Sequence, residues 1–217
     1  LKRFPTLSSM AESSVDDVLL LWQGAGYYSR ARRLHALSIE VVQVHGGVLP
    51  KTYDELLKLP GIGPYTAAAV ASIAHSEPVA CVDGNIRRVM ARQSNLEEPS
   101  MNDVQRFADK HLVIDAPGEW NQAMMELGAL VCKPRNPICD QCPVSETCNG
   151  RTRPHELPRP KTTKKTTVEY NCIVRIDENG APELQQRPQT GLFAGLWGPE
   201  MAIGLETTGC EFVGTIR

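Results

Sequence analysis

Four cysteines, Cys132, Cys139, Cys142 and Cys148, stand with six, two and five residues between them. Thiolates spaced this closely can wrap one inorganic centre, because short loops lose little entropy when the site closes. A [4Fe–4S] cubane requires four such ligands, one at each iron. Zinc is the competing occupant. Zinc ribbons, however, usually pair two CxxC units across a long spacer, whereas here a single CxxC is flanked by singletons. The spacing favours the cluster. The other three cysteines, Cys81, Cys172 and Cys210, read as buried small hydrophobes. An odd total of seven, with four of them clustered, fits a reducing compartment better than a disulfide framework.

Three other stretches carry residue types with chemical uses. Leu59-Pro60-Gly61-Ile62-Gly63-Pro64-Tyr65-Thr66 reads as a tight turn between two helices. Gly61 and Gly63 would let a phosphate approach the backbone, where the second helix offers free N–H donors and the positive end of its dipole. A plain helix-turn-helix corner explains the same residues. In Val82-Asp83-Gly84-Asn85-Ile86-Arg87-Arg88, Asp83 sits at a turn before a helix and can serve as its N-cap. The same ionised carboxylate could face a developing sugar cation, and the two roles can coexist. Gly24-Ala25-Gly26-Tyr27-Tyr28, followed by Arg30, Arg32 and Arg33, sets aromatic rings on a glycine turn beside positive charge. That combination suits wedging between bases, and buried core tyrosines are the alternative.

These groups need rigid carriers, and the chain supplies short helices. Helical periodicity recurs over residues 15–22, 31–44, 53–57, 66–74, 86–93, 104–111 and 120–131, with Ser13 and Ser14 as candidate caps for the first. Glycine and proline punctuate the gaps, and no convincing period-two strand precedes Cys132. Residues 1–150 thus read as one all-helical domain ending in the cysteine loop (132–148). Composition shifts at Arg151: residues 151–166 are rich in Pro, Lys and Thr and poor in apolar residues, as a linker is. Val168, Tyr170, Cys172, Val174 and Ile176 then alternate as on a half-buried strand, residues 177–182 can turn, and 183–187 can return. Residues 167–217 contain only the opening of a mixed domain, which would bury little by itself.

Composition adds bounds. The 217 residues are 41% hydrophobic, as in an ordinary globular protein. No stretch reaches the roughly 18 consecutive apolar residues of a membrane span, and no signal segment is expected at the start, which suggests a soluble intracellular protein. The net charge of −2 lacks the strongly basic footprint of a nucleic-acid binder. Basic residues nevertheless gather in three places: Arg30, Arg32, Arg33 and His35; Arg87, Arg88 and Arg92; and residues 151–165. Each could be only a solvated face.

Taken in order and spacing, the hairpin at 59–66, the Val82-Asp83-Gly84-Asn85 segment and the four cysteines resemble the helix-hairpin-helix DNA glycosylases that carry an iron–sulfur cluster. Within them, residues 21–30, 82–85, 120–129 and 132–148 resemble the MutY-type adenine glycosylases, and the likeness extends over residues 1–197. The resemblance implies a mainly α fold, a helix-hairpin-helix domain with a [4Fe–4S] loop, followed by a partial MutT-like α+β domain at 167–217 that would help recognise 8-oxoguanine. It implies base excision repair, with adenine removed opposite 8-oxoguanine after the target nucleotide leaves the stack. By this likeness Asp83 is the catalytic carboxylate, Asn85 and Tyr65 support it, Tyr27 wedges into the duplex, and Tyr28, Arg30, Gly61, Gly63 and Arg87 contact DNA. Cys132, Cys139, Cys142 and Cys148 hold the cluster. The partner would be double-stranded DNA with A:8-oxoguanine mispairs, met by a monomer in a nucleus, a mitochondrion or a bacterial cytoplasm.

Two departures shape the expected activity. Strand-cleaving relatives place a nucleophilic lysine after the hairpin, where this chain has Tyr65, and a phenol cannot form a Schiff base. A monofunctional hydrolase is therefore expected. The family's second carboxylate, a glutamate that protonates adenine, matches none of Glu12, Asp16 and Asp17, which read as first-turn helix charges. Little or no excision by this chain is the expectation, and a non-catalytic iron–sulfur DNA-binding or scaffold module is the alternative.

Overall fold

A computed structural model describes residues 2–160 and 166–215. The chain divides into two compact units, Leu1–Lys161 and Thr162–Arg217.

The first unit contains eight α-helices among its described residues: α1 (Leu7–Ala11), α2 (Val15–Leu21), α3 (Tyr28–Val44), α4 (Tyr53–Leu56), α5 (Pro64–His75), α6 (Gly84–Gln93), α7 (Met101–His111) and α8 (Pro117–Glu126). Local chemistry sets their starts. Thr6, Ser14 and Ser100 each accept from the backbone N–H three residues on, while the side chain at that third position bonds back to the cap. These reciprocal boxes satisfy two orphan donors at once. They also explain two departures from periodicity: α1 was not expected, and α7 starts three residues earlier than its apolar pattern. Pro64 and Pro117 open α5 and α8, where a missing N–H costs nothing. Asp17 closes the box of α2, as a first-turn charge should, whereas Glu12 is the C-cap of α1.

The unit is organised on α5, whose alanines allow close approach on two faces. Ala67 and Ala71 pack with Leu37 and Val41 of α3 and with Leu56 and Leu59. Ala68, on the other side, packs with Cys81, which precedes α6, with Ile86 and Met90 of α6 and with Val104 of α7. Helix α8 also lies on α5, and Gly118 makes this possible: a Cβ there would stand 2.8 Å from the Ser72 carbonyl oxygen. Asn121, fully buried, fastens the same contact. Its amide donates to Ser72 Oγ (2.8 Å) and the Val79 carbonyl (3.0 Å) and accepts from the Cys81 N–H (3.0 Å). Both N–H donors and the carbonyl oxygen of this buried amide therefore have a partner, which is the condition for a stabilising polar core contact.

The helix expected over 120–131 ends as an α-helix at Glu126. A π-helical turn, Leu127–Val131, takes over and delivers Cys132. After the cysteines, the expected linker differs from the structure. Residues 151–159 fold back on the segment after α6: Leu157 is buried, Arg153 pairs with Glu97, and Arg159 pairs with Glu97 and Glu98. Residues 161–165 of that linker lie outside the described residues.

In the second unit, β1 (Asn171–Ile173) pairs antiparallel with β4 (Glu200–Ala202), and β2 (Gln185–Gln186) with β3 (Trp197–Gly198). The expected turn over 177–182 is present. Asp177 N–H donates to the Ala181 carbonyl at 2.8 Å, and Ile176 bridges Pro182. The apolar stripe of Val168, Tyr170, Cys172, Val174 and Ile176 is exposed rather than half-buried, because the described strands form only two-stranded pairs; Cys210 is exposed as well, so of the three cysteines outside the loop only Cys81 is buried as expected. Among the described residues, no helix is long and apolar enough to cross a membrane.

Candidate nucleic-acid and iron–sulfur site

Asp83 ends the segment clamped by Asn121 and caps α6. Its Oδ1 accepts from Ile86 N–H at 2.7 Å and its Oδ2 from Asn85 Nδ2 at 2.9 Å. The capping role is therefore realised, and it fixes the carboxylate in one orientation at the half-buried N-terminus of the helix. Tyr65, two-fifths exposed, leads off α5 beside this group, with its hydroxyl on Met125 Sδ at 3.1 Å. Burial first, then the charges of Asp83 and Cys81, raises the Tyr65 phenol above its ordinary pKa, so at neutral pH it is a neutral hydrogen-bond donor. The structure thus brings Tyr65, Asp83 and Asn85 together from α5 and α6.

The hairpin residues take the expected form. Gly61 has φ +79°, and a Cβ there would lie 2.6 Å from Arg33 Cβ, so glycine is required twice over. Gly63 caps α5 with open space around it, leaving the first amides of that helix accessible to an anion. Contact with Arg33 sets the basic face of α3 beside the turn.

Tyr27 is 80% exposed and stands in the left-handed region, φ 48°, at the N-cap of α3. Arg30 lies 5.1 Å from its ring centroid and 5.8 Å from that of Trp22, whose indole N–H ties to the Gly26 carbonyl. A strained backbone, a stacked guanidinium and a braced turn hold one bare ring out from the surface. Tyr28 does something else: it is half-buried and its hydroxyl accepts from Gly24 N–H at 3.4 Å, so it braces the turn. Arg87 is tied to the Pro99 carbonyl (3.4 Å) and stays half-buried.

The four cysteines come off successive turns. Cys132 ends the π-turn with its N–H on the Leu127 carbonyl (2.7 Å), and turns Cys139–Cys142, Cys142–Ser145 and Ser145–Cys148 follow one another. All four line one cavity with Val89, Leu127, Val131, Ile138 and Val144. Four thiols lining one apolar cavity can hold the iron–sulfur cluster that their spacing favours.

Residues that motif reasoning missed join the two halves. Arg88 donates to the Cys132 carbonyl (2.7 Å), the Gly128 carbonyl (2.6 Å) and Asn85 Oδ1 (2.9 Å). A continuous path runs from Asp83 through Asn85 and Arg88 to the backbone of a cysteine ligand. Arg92, only 3% exposed, donates to Cys132 Sγ (3.3 Å), the Lys133 carbonyl (2.7 Å) and the Leu157 carbonyl (2.9 Å). In sequence both read, with Arg87, as one basic cluster, either a solvated face or a nucleic-acid contact. Asn85, Arg88 and Arg92 share a helical stripe, and that spacing was the available signal.

Comparison with known proteins gives a consistent result. The sequence model of the HhH-GPD superfamily of base excision DNA repair proteins matches residues 1–112, and that of the iron–sulfur binding domain of endonuclease III matches residues 132–148. The human adenine DNA glycosylase is 35% identical over 91% of this chain and 46% of its own length. That of Schizosaccharomyces pombe is 37% identical over 82% and 40%. The chain spans about half the length of the curated relatives it matches. Among solved structures, a thermostable thymine-DNA glycosylase superposes with TM-score 0.65 at 26% identity, and an endonuclease III–DNA complex with 0.63 at 25%, each over 70% of this chain and 72% of the other.

Proposed function

Because the chain belongs to the HhH-GPD superfamily of base excision DNA repair proteins, we propose that it carries the aspartate half of an adenine DNA glycosylase site acting on adenine opposite 8-oxoguanine. The fixed carboxylate of Asp83 beside Tyr65 is the observation that carries this reading. In the reaction, the bond between adenine N9 and the sugar C1′ breaks, its electron pair leaves with the base, an acid protonates the adenine, and water adds at C1′ and gives up a proton that restores the acid. The sugar passes through an oxocarbenium-like state. Asp83, oriented by Ile86 N–H and Asn85, stabilises that cation or forms a bond to it that water then cleaves.

Tyr65 in place of an amine supports a hydrolase that leaves the strand intact. The bare Tyr27 ring supports wedging beside the lesion, and the hairpin at Gly61 and Gly63 supports sequence-independent grip on phosphates. Cys132, Cys139, Cys142 and Cys148 would hold the cluster. When bound, it supplies a rigid fold for the loop behind α6. The protonating acid matches no residue in α1 or α2, where Asp17 is committed to its capping box. Excision by this chain is therefore expected to be slow.

The test is single-turnover adenine release from an A:8-oxoguanine duplex, with this chain and with an extended form carrying an acid-bearing N-terminal segment ahead of Leu1. Breaks that appear only after alkali, and that vanish with Asp83→Asn in the extended form, are expected. Strand breaks without alkali, or Asp83→Asn cutting at the unmodified rate, would sink the proposal. Rapid release by the unextended chain would refute the expectation of slow excision.

A further inference from the structure

The cavity around the cysteines has few polar side chains in its wall. Apart from the thiols they are Arg92, Gln93, Ser145 and Arg151. Arg92 reaches the Cys132 side, as described. Gln93, the last residue of α6, reaches the opposite side and makes three connections to it. Its Nε2 donates to the Val144 carbonyl at 3.1 Å, its Oε1 stands 3.4 Å from Thr147 Oγ1, whose single hydrogen it shares with the Val144 carbonyl at 3.2 Å, and its own carbonyl accepts from Asn149 N–H at 3.2 Å. The three partners bracket the stretch between the third and fourth cysteines and the residue just beyond it. Gly150 completes the seam: its N–H donates to the Arg92 carbonyl at 2.8 Å, and a Cβ there would stand 2.5 Å from that oxygen.

We propose that Gln93 is a positioning residue for the cluster, holding the Cys142–Cys148 segment in its ligating shape. The last turn of α6 then acts with two hands, Arg92 on the first cysteine and Gln93 on the last two. A loop already ordered gives up less chain entropy when four thiolates close on a cluster, and a ligand that detaches is returned to place. The Gln93 amide is suited to this because it offers a donor and an acceptor at once, to a carbonyl and a hydroxyl that lie three residues apart. The side chain is half-buried and its hydrogen bonds go to the loop rather than to a cysteine sulfur, so its effect passes through the loop.

The proposal rests on the assignment of an iron–sulfur cluster to these cysteines. The experiment reconstitutes the full chain with iron and sulfide and follows loss of absorbance near 400 nm in the presence of an iron chelator. Gln93→Ala is expected to lose the cluster roughly fivefold faster, the effect of about one hydrogen bond. Thr147→Val is expected to quicken loss by less, and to add little on top of Gln93→Ala because both act on one latch. The cluster-free proteins should melt within about 2 °C of one another, since an exposed loop bond contributes little to the helical core. Unchanged cluster loss in Gln93→Ala overturns the latch. So does a fall in the melting temperature of the cluster-free form that accounts for the faster loss. A wild-type chain that binds no iron and sulfide overturns the cluster assignment instead, and the two failures are told apart by metal analysis.

Discussion

Gly128→Ala offers a demanding trial of the link between the cysteine loop and Asp83. A Cβ at Gly128 would lie 2.5 Å from Asn85 Cβ, 3.1 Å from Asn85 Cα and 3.2 Å from its carbonyl carbon. None of these atoms can swing aside as the tip of a long side chain could. To regain an ordinary contact, the first turn of α6 and the π-turn must separate by roughly 1 Å, and such overpacking costs about 1–3 kcal/mol. For a unit of this size the melting temperature should fall by roughly 3–10 °C. The displacement falls on the residue that orients Asp83 and on the carbonyl that Arg88 grips at 2.6 Å. Shifts of about 1 Å at a reacting group can cost on the order of 100-fold in rate. Melting by circular dichroism and single-turnover release by the extended form would measure the two effects, with Gly84→Ala as a stability control. Gly84 is in the same first turn with nothing within 4 Å and should be neutral or slightly stabilising. Gly128→Ala that melts and turns over within error of the unmodified protein would refute the claim that this close approach sets the site.

Other expectations follow from the same geometry. Arg88→Leu leaves the Cys132 and Gly128 carbonyls unpaired and frees Asn85, so adenine release should drop at least tenfold while duplex affinity changes little; Arg88→Lys should recover only part, since one ammonium cannot span the three acceptors of a planar fork. Tyr27→Ala should leave melting within about 1 °C yet weaken binding to a lesion duplex about tenfold in a gel-shift titration, and equal affinity would refute the wedge. Cys81 gives a pH signature: burial, then the charge of Asp83, pushes its thiol up to about 11. The folded protein holds that proton more tightly than the unfolded chain, so the contribution is complete below about pH 9 and is lost as pH rises through about 11, on the order of 2–3 kcal/mol. Urea unfolding at pH 7, 9 and 10.5 should therefore show a shallower alkaline decline in Cys81→Ala, and parallel declines would refute it.

Local chemistry was legible before any fold was drawn. The cysteine spacing, the glycines of the hairpin, the capping position of Asp83 and most helix positions follow from short-range rules of period, cap and turn, which act over a few residues. The start of α7 and the presence of α1 departed from apolar period because capping boxes, not burial, set those ends. Whether the cap residue also faced Tyr65 was beyond such rules, since α5 and α6 are brought together by a core that includes Ala68, Cys81, Ile86 and Met90.

What tertiary structure alone decided is where the charges turned. Arg87, Arg88 and Arg92 are one basic cluster in the sequence, yet two of them point inward, to partners 40 to 65 residues away. A helix stripe gives a direction but not what lies in that direction. Residues 151–159 have the composition of a linker, and they pack because Glu97 and Glu98 pair with Arg153 and Arg159 and the buried Arg92 guanidinium donates to the Leu157 carbonyl. Complementary partners far apart in the chain leave no mark in local composition. The sequence supplied the reactive groups, and the fold supplied the distances between them.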